Sequence, residues 1–522
     1  MPTDAELEAQ AEALRSRNPQ SSLHRLVDAI ISRVEISVSP TGRAYASTDP
    51  EHRDRVCALD GPECKSFVMA VAYANKIAFS PNSFPQVVAV LEYQSRARPT
   101  KNVYHRIGHL GDKIYFDRGT RSRSIVEISP VGVKIIETAP ILFARTPGML
   151  ELPEPDLDGA LDEIDALVLQ LDERNLKLLK GAIVAAAHRT GPYFITLIIG
   201  PHGGGKTNIG RLIRMLIDPN ADPLRSAPRK SDDLFAIVSN EYMAGFDNVS
   251  HLPRWLADEF CQIATGGATT NRRFFCNRGA VTLSAKGPIV ITSIPLPTHQ
   301  PDFLNRSIVI HVPMMPDNLR QSEEEWAREF RKAYPRIFGG LCNALSMSLR
   351  NIDKTTVPGS IRMIDAARSV AAAEHAIGCS PGEFAKLYIE NQRDLMYGVL
   401  EDDIFGNAVV EFARKEGSFS GNATTLDQKL AAYRPVGRGN GSEWPKLKQI
   451  RGRLEELEPL LRSRGVMVDT KARGGANNQH LIVITFVQRP PLVRVKLPQH
   501  ATTSITKQAP GLPWLRKGGV RK

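Results

Sequence analysis

Gly200-Pro201-His202-Gly203-Gly204-Gly205-Lys206-Thr207, followed by Asn208, is the stretch that decides how this sequence is read. It matches GxxxxGK[ST] at every fixed position, directly after the apolar run Phe194 to Ile199 and directly before the helix-patterned NIGRLIRMLI. Strand, glycine-rich loop and helix in that order supply what phosphate binding needs. Glycines let the backbone curl so that successive N–H groups face one anion, and the positive end of the following helix adds to the field. Lys206 is then placed to reach the β- and γ-phosphates, and Thr207 to offer a hydroxyl to Mg²⁺, which prefers oxygen ligands. ATP and Mg²⁺ are therefore the expected cofactors, bound along residues 200–208; a purely structural glycine turn is the alternative.

Working outward, a carboxylate on the metal side is expected at the end of a neighbouring strand, and Tyr242-Met243-Ala244-Gly245-Phe246-Asp247 provides Asp247. A glutamate often follows to polarise the attacking water; here the neighbour is Asn248, whose amide could orient water, or Asp258 or Glu259 on the next helix could act instead. The strand Ile289 to Ile291 ends in Thr292 and Ser293, where a γ-phosphate sensor would sit, although both residue types also form strand-end turns. Arg306, just before the strand Ser307 to Val312, is a candidate arginine finger for a neighbouring subunit's site or an ordinary surface arginine. Apolar runs at 243–246, 289–294 and 308–312 alternate with helical stretches, as a mostly parallel α/β sheet requires.

A chain of 522 residues is too long for one core. We expect an N-terminal α+β domain over 1–145, with strands at KIYFD, SIVEIS and GVKIIET, and a Pro- and acid-rich linker over 146–160. The P-loop core then spans 161–317, a helical lid 318–401, and a further domain 402–487, before a basic, Pro-rich disordered tail over 488–522. The formal charge of +11 favours an acidic polymer as partner. The six cysteines form no CxxC pair, so neither a zinc knuckle nor a disulfide framework is indicated. No apolar run approaches the roughly 18 residues of a membrane span, and the N-terminus lacks a signal-like pattern; a cytoplasmic protein without membrane contact is expected.

Residues 402–487 carry a second pointer to nucleic acid. Helices there precede VMVDT, a KARGGANNQ turn and HLIVITF, an order that resembles a winged helix. The candidate recognition helix runs from Trp444 to Arg464, with Leu447, Ile450, Leu454, Leu457 and Leu461 as its apolar stripe. Lys446, Lys448, Arg451 and Arg453 on that helix, with Arg473 in the turn, are the candidate contacts to duplex DNA. A solvated basic face on a protein-binding module is the alternative.

The stretch GFDNVSHLPRWLADEFCQIATGGATTNRRFF resembles the ATPase core of primase-helicase-like proteins of phages and integrated elements, relatives of superfamily 3 and AAA+ ATPases. The resemblance extends through MLELPEP, GPYFITLIIG and LIDPNADPLRSAPR upstream and PDFLNRSIVIHVP downstream, over about residues 145 to 400. It implies a homo-oligomeric ring, hexameric in that family's pattern, with ATP sites between subunits and single-stranded DNA in the pore. A pore hairpin between the second and third core strands would carry Arg272 and Arg273, beside Phe274 and Phe275. That family usually has Asn where this chain has Thr292, and many members carry a primase-polymerase domain of which the first 145 residues show no sign. The implied function is an ATP-dependent DNA helicase or replication-initiator ATPase of a mobile element or phage. The alternatives are an ATP-switched DNA-binding regulator and a protein-remodelling ATPase.

Overall fold

Residues 19–48, 55–95, 98, 100–188, 191–266, 268–272, 280–284, 286–434, 444–474 and 479–487 are described in the structure, a computed structural model. Helix α1 (Pro19–Ile31) leads into strands β1 (Glu35–Val38), β2 (Ala44–Ser47) and β3 (Arg55–Ala58), followed by helices α2 (Pro62–Ala74) and α3 (Phe84–Ser95) and strand β4 (Val103–Tyr104). Strands β5 (Ile107–Leu110), β6 (Lys113–Asp117), β7 (Ile125–Ser129) and β8 (Gly132–Ile136) then form an antiparallel meander. Strand β9 (Leu142–Ala144) returns to the first sheet, whose order is β1-β2-β3-β9-β4. Leu26 and Ile30 of α1, Val68 of α2 and Leu91 of α3 cover that sheet with Ile36, Ala46 and Cys57 beneath them.

The meander does not share that core. Ile114, Phe116, Val126 and Ile128 pack into the large central cluster, where the Phe116 ring meets Phe338 edge-on with centroids 5.7 Å apart. The core therefore does not divide at residue 145, a correction to the expected boundary. The segment expected as a linker is packed as well: Leu152 is buried, the Asp156 N–H donates to Pro335 O at 3.0 Å, and a Cβ on Gly159 would lie 2.1 Å from Arg336 O. Its prolines and acids mark an irregular backbone, and that backbone is held by a helix rather than by solvent.

The centre is built on helix α4 (Glu173–Ala187), whose Asp172 cap accepts from the Asn175 N–H at 2.7 Å, and on strand β10 (Ile195–Ile199). Helices α5 (Lys206–Ile217) and α6 (Ser231–Val238), strand β11 (Ala244–Phe246) and helix α7 (Arg254–Thr265) follow. The hairpin β12 (Ala268–Arg272) and β13 (Ala280–Ser284) precedes β14 (Ile289–Ser293), the short helix α8 (Pro301–Leu304) and β15 (Ser307–His311). The sheet is parallel in the order β11-β14-β10-β15, and its strands are apolar because both faces are covered. Its outer edge at β15 is closed by side-chain amides. Asn391 pairs with both the N–H and the C=O of Val309 at 2.9 and 2.8 Å, and Asn175 accepts from the His311 N–H at 2.8 Å. They occupy the positions of a further strand and leave those backbone groups satisfied.

Helices α9 (Glu323–Asn351), α10 (Ile364–Ala371) and α11 (Glu383–Asp402) follow, α9 opened by a capping box between Ser322 and Glu325. Phe338, Leu341, Val370, Phe384 and Tyr388 from these helices share one cluster with Ile198 and Ile310 of the sheet. The helices expected as a lid over 318–401 thus form a packed layer of the core.

Among the described residues, the chain divides into two compact units, one holding residues up to 407 with 444 and the other residues 408–434 with 445–487. In the second, the end of helix α12 (Ile404–Glu416) is followed by β16 (Ser418–Gly421), α13 (Ala423–Leu430), α14 (Ile450–Ser463), β17 (Val466–Asp469), the short pair β18 (Arg473–Gly474) and β19 (Gln479–His480), and β20 (Ile482–Phe486). Strand β20 pairs antiparallel with both β16 and β17. Ile450, Leu454, Leu457, Leu460 and Leu461 are buried, while Leu447, expected in the same stripe, is 46% exposed because it precedes the α-helix in a 3₁₀ turn. No helix among the described residues is long and apolar enough to cross a membrane. Cys57, Cys64, Cys261, Cys342 and Cys379 are buried free thiols. Among the described residues no group of three or more side chains forms a metal-ligating cluster. The tail 488–522 lies outside the described residues.

Candidate nucleotide site and nucleic-acid interface

The glycine-rich loop leaves the C-terminal end of β10 and enters α5 at Lys206. Its glycines have different causes. Gly205 sits at φ +83, a left-handed conformation that starts the helix without a side-chain penalty, whereas a Cβ on Gly200 would lie 2.1 Å from Val312 O. Gly200 thus answers to the neighbouring strand end. The Lys206 Nζ donates to Pro201 O at 2.7 Å, so the lysine is folded across its own loop. Burial holds its pKa below the ordinary lysine value, with Asp247 acting in the opposite sense.

Because β14 lies between β10 and β11, the ends of three strands meet beside the loop. The Thr207 hydroxyl donates to the two Asp247 carboxylate oxygens at 3.2 and 3.3 Å, and the Thr292 hydroxyl donates to Asp247 Oδ1. Thr292 Oγ1 in turn accepts from the Asn248 N–H at 2.9 Å, which holds Asn248 at φ +52. Lys206, Thr207, Asp247, Asn248 and Thr292 are thus brought together. Their oxygen donors are hard and lie on one side of the loop, a set that suits Mg²⁺. Asp258 instead faces Arg254 at 4.0 Å, and Glu259 accepts from Ser231 on α6.

The helix that carries Lys206 and Thr207 is anchored at its far end. Asp218 is 3.2 Å from Arg106 Nε and 2.6 Å from Arg214 Nη1, and it accepts from the Tyr242 and Met243 N–H groups at 3.0 and 3.2 Å. Arg225 holds Glu241 at 2.6 Å. This buried network joins α5 to the residues that lead into β11, which fixes Thr207 relative to Asp247. Burial alone would raise the Asp218 pKa; Arg214 and Arg106 outweigh it and hold the carboxyl below its usual range. The motif reading missed these residues, and it also missed Gln170, whose Nε2 donates to Gly204 O at 3.0 Å. No spacing rule connects a residue 30 positions upstream with the loop.

Arg306 is not at this site. It lies at the N-terminal end of β15, where its O accepts from the Ile195 N–H, and its guanidinium contacts Thr265 Oγ1 at 3.1 Å and Asp302 Oδ2 at 3.1 Å. Arg272 ends β12 opposite Ala280, on a hairpin that falls between the second and third strands of the parallel sheet; Arg273 lies outside the described residues.

In the second unit, Lys446, Lys448 and Arg473 are exposed. Arg451 has a different role from the expected phosphate contact. Its guanidinium donates to Thr470 O and, at 3.3 Å, to His480 O, and so ties α14 to the β17–β20 ribbon. Arg453 pairs with Glu456 at 2.7 Å.

A parallel sheet covered by helices, with a glycine-rich loop running from β10 into α5, is an α/β fold with the strand-loop-helix order of phosphate-binding sites. Residues 173–387 match the family model described as Actinomycete integrative conjugative element replication protein, and residues 405–503 match the AICE RepA C-terminal domain. Together they span more than half of the sequence, and the chain belongs to this family of replication proteins. Of the expected resemblance to primase-helicase-like proteins of phages and integrated elements, a replication protein of an integrated element is what the family match bears out. Among solved structures, the chain is similar to SCCmec type IV Cch, described as an active helicase, at 10% identity and a TM-score of 0.41, over 87% of this chain and 93% of that one. It is also similar to the NrS-1 C-terminal region at 13% identity and a TM-score of 0.38, over 89% and 98%. No curated protein sequence matches.

Proposed function

We propose that this replication protein is an ATP-hydrolysing DNA helicase or initiator ATPase that works as a homo-oligomeric ring. The observation that carries the reading is the junction of Thr207, Asp247 and Thr292 beside Lys206, at the ends of three parallel strands. In this reading the N–H groups of the loop and Lys206 bind the phosphates, and Thr207 and Asp247 hold Mg²⁺, which supplies charge neutralisation for phosphoryl transfer. Asn248 and Thr292 orient the attacking water. Arg272 and Arg273 touch single-stranded DNA in the pore, and Arg306 reaches a neighbouring subunit's site. The second unit acts as a winged-helix-like domain on duplex DNA; the strand and helix order β16-α13-α14-β17-β20 supports this, with Lys446, Lys448 and Arg473 exposed.

The test is the ATPase rate with and without single-stranded DNA, together with unwinding of a forked duplex. Stimulation with strand separation supports the proposal; a rate that ignores DNA refutes it. A second reading, an ATP-switched DNA-binding regulator, is favoured by one observation: Asp247 is followed by Asn248, and Asp258 and Glu259 are turned to Arg254 and Ser231. It predicts DNA binding that depends on ATP, with slow turnover and no strand separation.

A further inference from the structure

Gln170 lies in the segment between the 3₁₀ turn Leu161–Leu167 and α4, and it is 9% exposed. The segment is fixed on both sides: Trp326 Nε1 donates to Leu167 O at 3.1 Å, and Asp172 caps α4. From there Gln170 Nε2 donates to Gly204 O at 3.0 Å, and a Cβ on Gly205 would lie 3.0 Å from the same nitrogen. Gln170 Oε1 is buried with no hydrogen-bond partner among the described residues. The side chain therefore acts here as a donor only.

A peptide unit is planar and trans, so its C=O and N–H point in opposite directions. Holding the Gly204 carbonyl toward Gln170 turns the Gly205 N–H the other way, away from that side chain. Gly205, at φ +83, has no side chain to resist that orientation. Backbone N–H groups aimed inward before the ligand arrives are what makes such a loop an anion cradle. We propose that Gln170 is a positioning residue for nucleotide binding, which sets the Gly204–Gly205 peptide in its phosphate-binding orientation. The inference rests on the nucleotide reading of residues 200–208.

Two substitutions separate this role from packing. Gln170→Met keeps the volume and removes the donor. Gln170→Glu keeps a donor while the acid is protonated and turns a carboxylate toward the Gly204 carbonyl once it ionises; burial places that ionisation above the ordinary glutamate value. MgATP affinity of the full-length protein is measured by titration between pH 5.5 and 8.5. The wild type carries the same Asp172, His202 and Lys206 around the loop and serves as the reference profile. Loss of one hydrogen bond predicts about tenfold weaker MgATP binding for Gln170→Met at every pH. Gln170→Glu should match the wild type at the acid end and fall away from it as pH rises, reversibly within one sample. Wild-type affinity in Gln170→Met, or a Gln170→Glu profile parallel to that of the wild type, overturns the inference. If Lys206→Ala loses MgATP while Gln170→Met keeps it, only the role of Gln170 fails. If the wild type binds no MgATP, the nucleotide reading fails with it.

Discussion

Thr292→Val is the substitution that examines the site most sharply, because it changes one atom type and almost no volume. Thr292 is 1% exposed; its hydroxyl accepts from the Asn248 N–H at 2.9 Å and donates to Asp247, while its backbone O still accepts from the Val249 N–H at 2.9 Å in either residue. Only the two hydroxyl bonds are lost. A neutral bond contributes about 1 kcal/mol and one to a carboxylate about 1.5–3 kcal/mol. Asp247 keeps Thr207 as a partner, so the lower end applies, and removing a buried hydroxyl recovers some desolvation, so the net loss is about 2 kcal/mol. Thermal unfolding should fall by roughly 2–3 °C, because Thr292 lies in the larger compact unit and the unfolding entropy grows with size. If the same energy is expressed in the transition state, ATP turnover falls about 30-fold. Thr292→Ser, which keeps the hydroxyl, should recover most of both. A Thr292→Val protein with wild-type melting and wild-type turnover would show that this hydroxyl does not hold Asp247 and Asn248 in place.

Four further outcomes are expected. Asp247→Asn should retain ATP binding but lose at least about tenfold in Mg²⁺-dependent hydrolysis, since only charge on the metal side is removed; normal rate and Mg²⁺ response would assign that role to another acid. Asp218→Asn should destabilise the chain at pH 7, and the gap to the wild type in urea midpoint should close as the pH falls below about 4, because the folded carboxyl is held below its unfolded value and its stabilisation is lost as it protonates; a pH-independent gap would refute the ionic role. Neutralising Lys446 and Lys448 should flatten the slope of log duplex affinity against log salt by about 1.8, whereas Arg451→Gln should lower affinity with little change of slope; equal slopes for the double variant and the wild type would remove that face from the DNA interface. Arg306→Ala subunits should hydrolyse ATP slowly and recover activity when mixed with Lys206→Ala subunits; no recovery at any ratio would exclude a finger acting between subunits.

Fold elements with strong local causes were legible in the sequence. The run Phe194 to Ile199 before glycines could only be a buried strand meeting a loop, and Asp247 and Thr292 were placed by the rule that such sites use the ends of neighbouring strands. What the sequence hid was tertiary. The meander β5–β8 has the same alternation wherever it packs, so periodicity alone could not show that Ile114 and Phe116 join the central core. Basic residues on a helix likewise look alike in sequence, yet Arg451 is turned to the carbonyls of Thr470 and His480 while Lys448 is exposed. Gln170 is recognisable only once the folded loop shows which carbonyl it meets.

The parallel sheet also decides what Arg306 can do. Strand β10 spans the distance between the two: Ile199 leads into the loop, and the Ile195 N–H donates to Arg306 O. At roughly 3.3 Å per residue, the five residues of β10 separate those ends by about 13–16 Å. Arg306 and the Asp247 site are therefore at opposite ends of one strand, and the ion pair with Asp302 holds the guanidinium on its own side. A role for Arg306 in hydrolysis by its own subunit is excluded by that separation. A role in hydrolysis would then have to be intermolecular, and it would require release of the guanidinium from Asp302 and Thr265.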